Sequence, residues 1–98
     1  MIEIRKTALF AEWLDRLRDL KGRARIQARI ERLAEGNPGD VQPVGEGVSE
    51  LRIHYGPGYR VYFKQRAREL IILLAGGDKG TQAKDIKTAL RLARNLAE

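Results

Sequence analysis

Apolar and polar residues alternate at the start of the chain, and the pattern then changes to helical spacing. The alternation over Ile2–Lys6 predicts a first strand, and Thr7 is suited to cap the helix that follows. From Phe10 to Leu20, apolar residues recur every three or four positions, as on the buried face of an amphipathic helix. We expect Lys21-Gly22 to join this helix to a second, arginine-rich one that ends at Gly36.

The second half of the chain has the pattern of a sheet. Residues 41–49 contain Gly and Pro and show little periodicity, so a connection is expected there. Strands are predicted over three segments: Glu50–Tyr55, Tyr59–Gln65 and Glu69–Ala75. Leu70 to Leu74 is apolar at every position, which indicates a strand covered on both faces.

The end of the chain has the pattern of one more helix. Gly76-Gly77 should end the last strand, and Thr81 should cap the helix. Its apolar stripe contains Ile86, Ala89, Leu90, Ala93 and Leu96. The order β-α-α-β-β-β-α predicts one α+β domain over residues 1–98, with a helical hairpin on a mostly antiparallel four-stranded sheet and a C-terminal helix.

The segment LRIHYGPGYRVYFK, from Leu51 to Lys64, predicts a β-hairpin with two different sides. If Tyr55 and Tyr59 close a three-residue turn, His54 lies opposite Arg60, and opposed residues share a side. The same register sets Arg52 opposite Tyr62. One side then presents Arg52, His54, Arg60, Tyr62 and Lys64, and the other sends Leu51, Ile53, Tyr55, Tyr59, Val61 and Phe63 into the core.

The charge of the chain favours an anionic partner. It has 98 residues, with 19 basic and 13 acidic side chains, a formal net charge of +6 and a pI near 10.1. Nucleic acid, the ribosome, an acidic protein and an anionic membrane surface all remain possible partners. The absence of cysteine excludes disulfides and zinc–thiolate sites. With a single histidine and no suitable acidic cluster, we expect no metal and no cofactor.

The polar side of the predicted hairpin carries the groups needed to hold RNA. Arginine grips phosphate with a planar fork, His54 can exchange a proton near neutral pH, and Tyr62 can stack on a base. Such groups can also stabilise a pentacoordinate phosphate during strand cleavage. A binding patch without catalysis, and an ordinary solvated sheet face, fit the same residues.

Two other segments are candidates for anion binding. Gly76–Thr81 combines glycines, a lysine and a helix start, but it lacks the spacing of a Walker phosphate loop. The second helix carries four arginines that suit nucleic acid phosphates, an acidic partner or plain solvation: Arg23, Arg25, Arg29 and Arg32.

Two motifs resemble a known toxin family. The stretch YGPGYRVYF at Tyr55–Phe63, and GGDKGTQAKDI at Gly76–Ile86, resemble the addiction module killer proteins. That group is similar to the phage Gp49-like and HigB proteins of the RelE/ParE toxin superfamily. The resemblance implies a RelE/ParE-like fold and a type II toxin encoded beside a helix-turn-helix antitoxin.

The resemblance also implies an activity. HigB- and RelE-like toxins are metal-independent endoribonucleases that cut mRNA in the ribosome, with the 2′-hydroxyl as nucleophile. The resemblance implies Arg60, Arg52 and His54 as catalytic residues. We expect Tyr62 to act with them, and we expect RNA to be bound by Lys64, Lys79, Lys84 and Asp78. The last segment lacks the Tyr or His that such toxins often place there, so the general acid and base stay unassigned. ParE-like relatives instead inhibit DNA gyrase by protein binding, and an inactive or regulatory DNA-binding partner is a third alternative.

Nothing in the sequence indicates a membrane protein. The N-terminus does not have the pattern of a signal peptide, and the longest apolar run, Leu70 to Ala75, is too short to span a bilayer. We therefore expect a cytoplasmic protein.

Overall fold

A computed structural model describes residues 1–96, which form three α-helices and five strands. The elements in chain order are β1 (Glu3–Lys6), α1 (Ala8–Arg16), α2 (Leu20–Ala34), β2 (Val41–Gly45), β3 (Val48–Ile53), β4 (Tyr59–Arg66), β5 (Leu70–Asp78), a 3-10 turn (Lys79–Thr81) and α3 (Gln82–Arg94). The predicted α+β class is confirmed. Among the described residues, no helix combines the length and apolar character needed to cross a bilayer.

The sheet has one more strand than the sequence pattern predicted. Its order is β1-β5-β4-β3-β2, with β1 parallel to β5 and every other pair antiparallel. The mostly antiparallel character is confirmed, but the expected four-stranded sheet is wrong because residues 41–45 form β2 and not a connection. Pro43 is tolerated there since β2 lies at the edge of the sheet and pairs with β3 alone.

The helices cover both faces of the sheet. The predicted helical hairpin, α1 and α2, packs on one face, where Phe10, Leu14 and Ile26 are buried. The predicted inward side of the β3–β4 hairpin faces these helices, with Leu51, Ile53, Tyr59, Val61 and Phe63 buried and Tyr55 partly buried. The other face is covered by α3, whose predicted apolar stripe packs on Tyr62, Leu74 and Ala75. The strand β5 is therefore buried on both faces, as expected.

The helical hairpin bends earlier than predicted. Thr7 caps α1 as expected, and its Oγ1 accepts a hydrogen bond from Phe10 N at 3.1 Å. The joint predicted at Lys21-Gly22 is wrong, because α1 ends at Arg16 and Asp19 caps α2, accepting from Gly22 N at 3.0 Å. Gly22 is needed inside α2 for packing, since a β-carbon there would lie 2.6 Å from Tyr59.

The strand β5 does not break at its glycine pair. It continues through Gly76 and Gly77 to Asp78, so the predicted end of the strand is wrong. A β-carbon on Gly76 would collide with the ring of Trp13, and one on Gly77 with the carboxylate of Asp85. The two glycines therefore permit close packing from opposite faces, which is a common reason for glycine inside a strand.

The final helix begins with a capped turn. The side chain of Asp78 accepts from Gly80 N at 2.8 Å and caps the 3-10 turn. Thr81 occupies the predicted N-cap position of α3, but its Oγ1 accepts no hydrogen bond from the backbone of α3 and instead donates to Asp85 Oδ2 at 2.5 Å.

Candidate functional site

The β3–β4 hairpin pairs in a register two residues away from the predicted one. Arg52 lies opposite Arg60 and Glu50 opposite Tyr62, so the predicted pairs His54–Arg60 and Arg52–Tyr62 are wrong. A shift of two residues keeps every strand residue on its predicted side. The loop spans residues 54–58 because Gly58 N bonds Tyr55 O at 3.1 Å, which forms a turn beyond the last paired residues.

The centre of the polar side is a buried carboxylate. Glu50 has no exposed surface, and it accepts hydrogen bonds from Arg52 Nε at 2.8 Å, Tyr62 Oη at 3.1 Å and Gln82 Nε2 at 2.6 Å. Burial alone would raise the pKa of Glu50, but these donors outweigh it and hold the pKa below its ordinary value. Glu50 is therefore a buried anion that ties β3, β4 and α3 together.

The guanidinium of Arg60 lies beside this carboxylate and is poorly satisfied by the protein. Its side chain is 9% exposed, and its Nε lies 3.8 Å from Glu50 Oε1. Within residues 1–96, Arg60 forms hydrogen bonds through Nη1 alone, at 3.3 Å to Gly58 O and 3.4 Å to Tyr59 O. Its buried Nε has no hydrogen-bond partner there. A nearly buried guanidinium with spare donors is suited to receive an anion.

Arg52 and Lys79 extend the positive charge around Arg60. The Arg52 side chain is 35% exposed, and its bond to Glu50 raises the pKa of its guanidinium. A β-carbon on Gly58 would lie 3.5 Å from Arg60 Nη1 and 3.4 Å from Lys79 Cβ, so Lys79 and Arg60 meet at this glycine. We call this set of Glu50, Arg52, Arg60 and Lys79 the hairpin site.

Tyr62 contacts the hairpin site through its hydroxyl group, which donates to Glu50, and its ring is not exposed. The ring is fully buried under α3, so the predicted open face is closed at this residue. Burial and the charge of Glu50 raise the pKa of the Tyr62 phenol. Tyr62 is therefore placed to donate to Glu50 and to remain protonated.

His54 lies in the loop, away from the Glu50 hydrogen bonds. Its side chain is 70% exposed, and its Nε2 lies 2.6 Å from Asp40 Oδ2. The hydrogen bond from His54 lowers the pKa of Asp40. The imidazole borders a recess on the α2 face of the sheet, together with Arg25 and Tyr55.

The remaining predicted binding residues are spread over the surface. Lys64 pairs with Val48 near the β2–β3 turn, far along the hairpin from Arg60. Lys84 is exposed on α3, whereas Asp78 serves as the cap of the 3-10 turn. Of the four predicted residues, Lys79 lies near Arg60, with Gly58 between them. Among residues 1–96, no group of three or more His, Asp or Glu side chains is gathered in a way that suits a metal ion.

The sequence analysis did not single out Glu50, Gln82 or Asp85. A signal for Glu50 was available, because it has the same strand parity as Arg52 and thus shares its side. Gln82 and Asp85 lie on α3, and their positions depend on how that helix docks. The carboxylate of Asp85 lies over Gly77, which pairs with Arg60, and its charge also raises the pKa of Tyr62.

Comparison with known proteins gives two matches. The model of the family described as "Phage derived protein Gp49-like (DUF891)" matches residues 12–98. A Haemophilus influenzae protein carrying the name "Uncharacterized protein" is 53% identical over 95 residues, which cover 97% of this chain and 96% of the relative.

Proposed function

Because this chain belongs to the phage-derived Gp49-like family, we propose that it is the toxin of a type II toxin–antitoxin module and cleaves mRNA on the ribosome. The family is associated with toxin–antitoxin modules, which supports an antitoxin as partner. The proposal adds that this antitoxin carries a helix-turn-helix domain. The ribonuclease activity goes beyond the family assignment and is argued from the hairpin site.

The observation that carries the proposal is the state of Arg60. Its guanidinium is held against Glu50 in a nearly buried position, and its hydrogen bonds to the protein are few and long. Burying an arginine in this way is costly unless another group completes its bonding. A phosphodiester would accept from the guanidinium and bring a compensating charge, with Arg52 and Lys79 beside it.

The chemistry proposed for this site requires no added group. The 2′-oxygen of one nucleotide forms a bond to the adjacent phosphorus, and the bond from phosphorus to the 5′-oxygen breaks. A proton leaves the 2′-hydroxyl and another reaches the 5′-oxygen, which gives a cyclic phosphate and a free 5′-hydroxyl. The pentacoordinate phosphorus carries extra negative charge, and fixed donors aimed at such charge accelerate reactions by about 10²–10³ per group.

The two residues predicted to move protons have different access to RNA. His54 is exposed and oriented by Asp40, which suits a group that exchanges protons with a substrate. Tyr62 is buried and bonded to Glu50. His54 borders the recess on the α2 face, however, and not the guanidinium of Arg60, so we assign it to contact with the RNA strand beside the reacting phosphate. We assign to Tyr62 and Glu50 the positioning of the two arginines.

The test is cleavage of translated mRNA by the purified protein. Programmed ribosomes are incubated with wild type, Arg60→Ala, Arg60→Lys or Arg91→Ala, and the mRNA is analysed by primer extension. Wild type and Arg91→Ala should give codon-phased cuts, because Arg91 is exposed on α3 and distant in sequence from the hairpin. Arg60→Ala should lose cleavage at least 100-fold, and Arg60→Lys should recover part of it as a point charge without the fork.

A gyrase assay distinguishes the alternative function. If the wild-type protein leaves translated mRNA intact and inhibits DNA supercoiling by gyrase, the ribonuclease proposal is wrong and a ParE-like activity replaces it. If Arg60→Ala still arrests growth as wild type does, the hairpin site is not the source of toxicity.

A further inference from the structure

A second basic surface lies on the opposite face of the sheet, beside the same hairpin loop. It is a recess of about 300 Å³, and we call it the α2 recess. Its lining combines cations and imidazole with an apolar floor: Arg25, Arg29, Arg32 and His54 with Ala28, Ile53 and Tyr55.

The arginines of the α2 recess form one stripe along α2. Arg25, Arg29 and Arg32 are four and three residues apart, so they lie on one helix face. Like charges at this spacing oppose helix formation. Within residues 1–96, no salt bridge joins Arg25 or Arg32 to a carboxylate. Burial, and then the charge of Arg32, lower the pKa of Arg29. Arg25 and Arg32 thus hold positive charge that no salt bridge among the described residues neutralises.

Arg29 has a structural role in this stripe. Its Nη1 donates to the backbone oxygen of Arg52 at 2.6 Å, and its Nη2 donates to Pro38 O at 2.9 Å. These bonds attach α2 to the strand that carries Arg52. The side chains of Arg25 and Arg32 are exposed and can contact a binding partner.

The α2 recess and the hairpin site are connected through Arg52. Arg52 is the link, because its backbone oxygen binds Arg29 while its guanidinium binds Glu50. Asp40 is next to it: its oxygen accepts from Arg52 N at 3.0 Å, and its carboxylate binds His54 at 2.6 Å. Two carboxylates, Asp40 and Glu50, are therefore paired at this junction, with His54 and Arg52.

The geometry also favours a nucleic acid base over a carboxylate as a neighbour. The guanidinium of Arg25 lies over the ring of Tyr55, 4.6 Å from its centroid. This arrangement gives a flat cationic surface, and unpaired RNA bases stack on aromatic rings and guanidinium planes.

We infer that the α2 recess is a second RNA-binding site, in which Arg25 and Arg32 contact backbone phosphates of the strand that passes the hairpin site. This inference rests on the proposed function, since it assumes that the hairpin site holds RNA. The strand crosses the end of the sheet at His54, with its reacting phosphate at Arg60 and a flanking segment on α2.

The test measures how binding of a short RNA depends on salt. The probe is a fluorescein-labelled single-stranded 12-mer with 2′-O-methyl groups, which cannot be cleaved, and binding is followed by anisotropy from 0.05 to about 0.5 M KCl. The variant Arg25→Ala/Arg32→Ala is compared with Lys87→Ala/Arg91→Ala, which removes the same charge from exposed positions of α3. Thermal melts check that both variants remain folded.

If Arg25 and Arg32 each contact one phosphate, the change in the salt dependence of RNA binding can be calculated. Each contact contributes about 0.7 to the slope of log affinity against log salt for single strands, so the slope should fall by about 1.4. If these contacts contribute nothing at 1 M salt, affinity at 0.1 M should fall about 25-fold. The α3 variant should change the slope by less than half as much. Ribosome pelleting at the same salt concentrations should rank the variants in the same order.

The outcomes separate the inference from the proposed function. If the α2 variant matches the α3 variant in both measurements, the inference is wrong, while cleavage that depends on Arg60 still supports the ribonuclease. If the Arg25→Ala/Arg32→Ala variant binds RNA as wild type does but no longer binds the antitoxin, the α2 recess is a site for an acidic protein, and the inference is again wrong. If the wild-type protein neither binds nor cleaves RNA, the proposed function fails as well.

Discussion

Replacement of Glu50 by glutamine tests whether the buried carboxylate holds the hairpin site together. Glutamine has nearly the same shape, but it carries no charge and offers one acceptor oxygen to donors from Arg52, Tyr62 and Gln82. Its own amide hydrogens would face those donors. Arg60, at 9% exposure, would lose its nearest counter-charge.

The size of the effect follows from the burial of the partners. Removing one member of a buried ion pair costs about 3–5 kcal/mol. We expect about 3 kcal/mol, at the low end, because Arg52 is 35% exposed and can turn toward water. For a chain of this length each kcal/mol lowers Tm by at least about 4 °C, so Tm should fall by about 12 °C or more. Urea unfolding followed by Trp13 fluorescence and circular dichroism measures the free energy.

A matched control and a pH series make this prediction specific. Glu46→Gln removes an exposed carboxylate that pairs with Arg94 at the surface, and its Tm should stay near that of wild type. Because the pKa of Glu50 is lowered in the folded state, its contribution is complete above the unfolded pKa, about 4.3. It is lost as pH falls through the folded pKa, so wild type and Glu50→Gln should begin to converge as pH falls below the unfolded pKa of about 4.3. Equal unfolding free energies for Glu50→Gln and wild type at pH 7 would mean that the buried carboxylate does not stabilise the hairpin site.

Two further predictions concern packing and a buried phenol. Gly76→Ala should destabilise the fold by about 1–3 kcal/mol, because the new methyl group collides with Trp13; an unchanged melt and unshifted tryptophan emission would contradict this. Tyr59 donates to Asp19 at 2.8 Å, and burial followed by this bond raises its pKa to about 12. Wild-type stability should therefore be complete below pH 10 and fall between pH 10 and 12, and Tyr59→Phe should reduce that fall in urea titrations at each pH.

The pattern of apolar and polar residues predicted most helices and strands correctly, because these elements depend mainly on residues that are close in sequence. Thr7 caps α1 as predicted, since a side chain bonds a backbone group three residues away. The two sides of the β3–β4 hairpin also follow from the alternation of side chains along each strand. They were predicted correctly although the predicted pairing was wrong by two residues, since a shift of two residues keeps each side chain on its side. The strand β2 was missed because Pro43 and Gly45 obscure its pattern and its pairing with β3 alone stabilises it.

The end of β5 was predicted wrongly because of the two glycines at positions 76 and 77. Gly76-Gly77 has the composition of a turn, and nothing near it in sequence indicates otherwise. Trp13 and Asp85 come from helices on opposite faces, and they pack where these glycines leave space. A strand that has partners on both faces can keep glycines that an isolated strand would not.

Four features could be predicted from the amino-acid pattern: the α+β class, the helix faces, the positive charge and the hairpin that carries Arg52 and Arg60. The way those arginines are held depends on the fold, because the donors and acceptors around Glu50 come from β3, β4 and α3, whose register and docking are not local properties. The same docking buried Tyr62 under α3 and left His54 exposed beside α2. Every second side chain of a strand lies on the same side of the sheet. Whether that side meets water or a helix depends on where the rest of the chain packs.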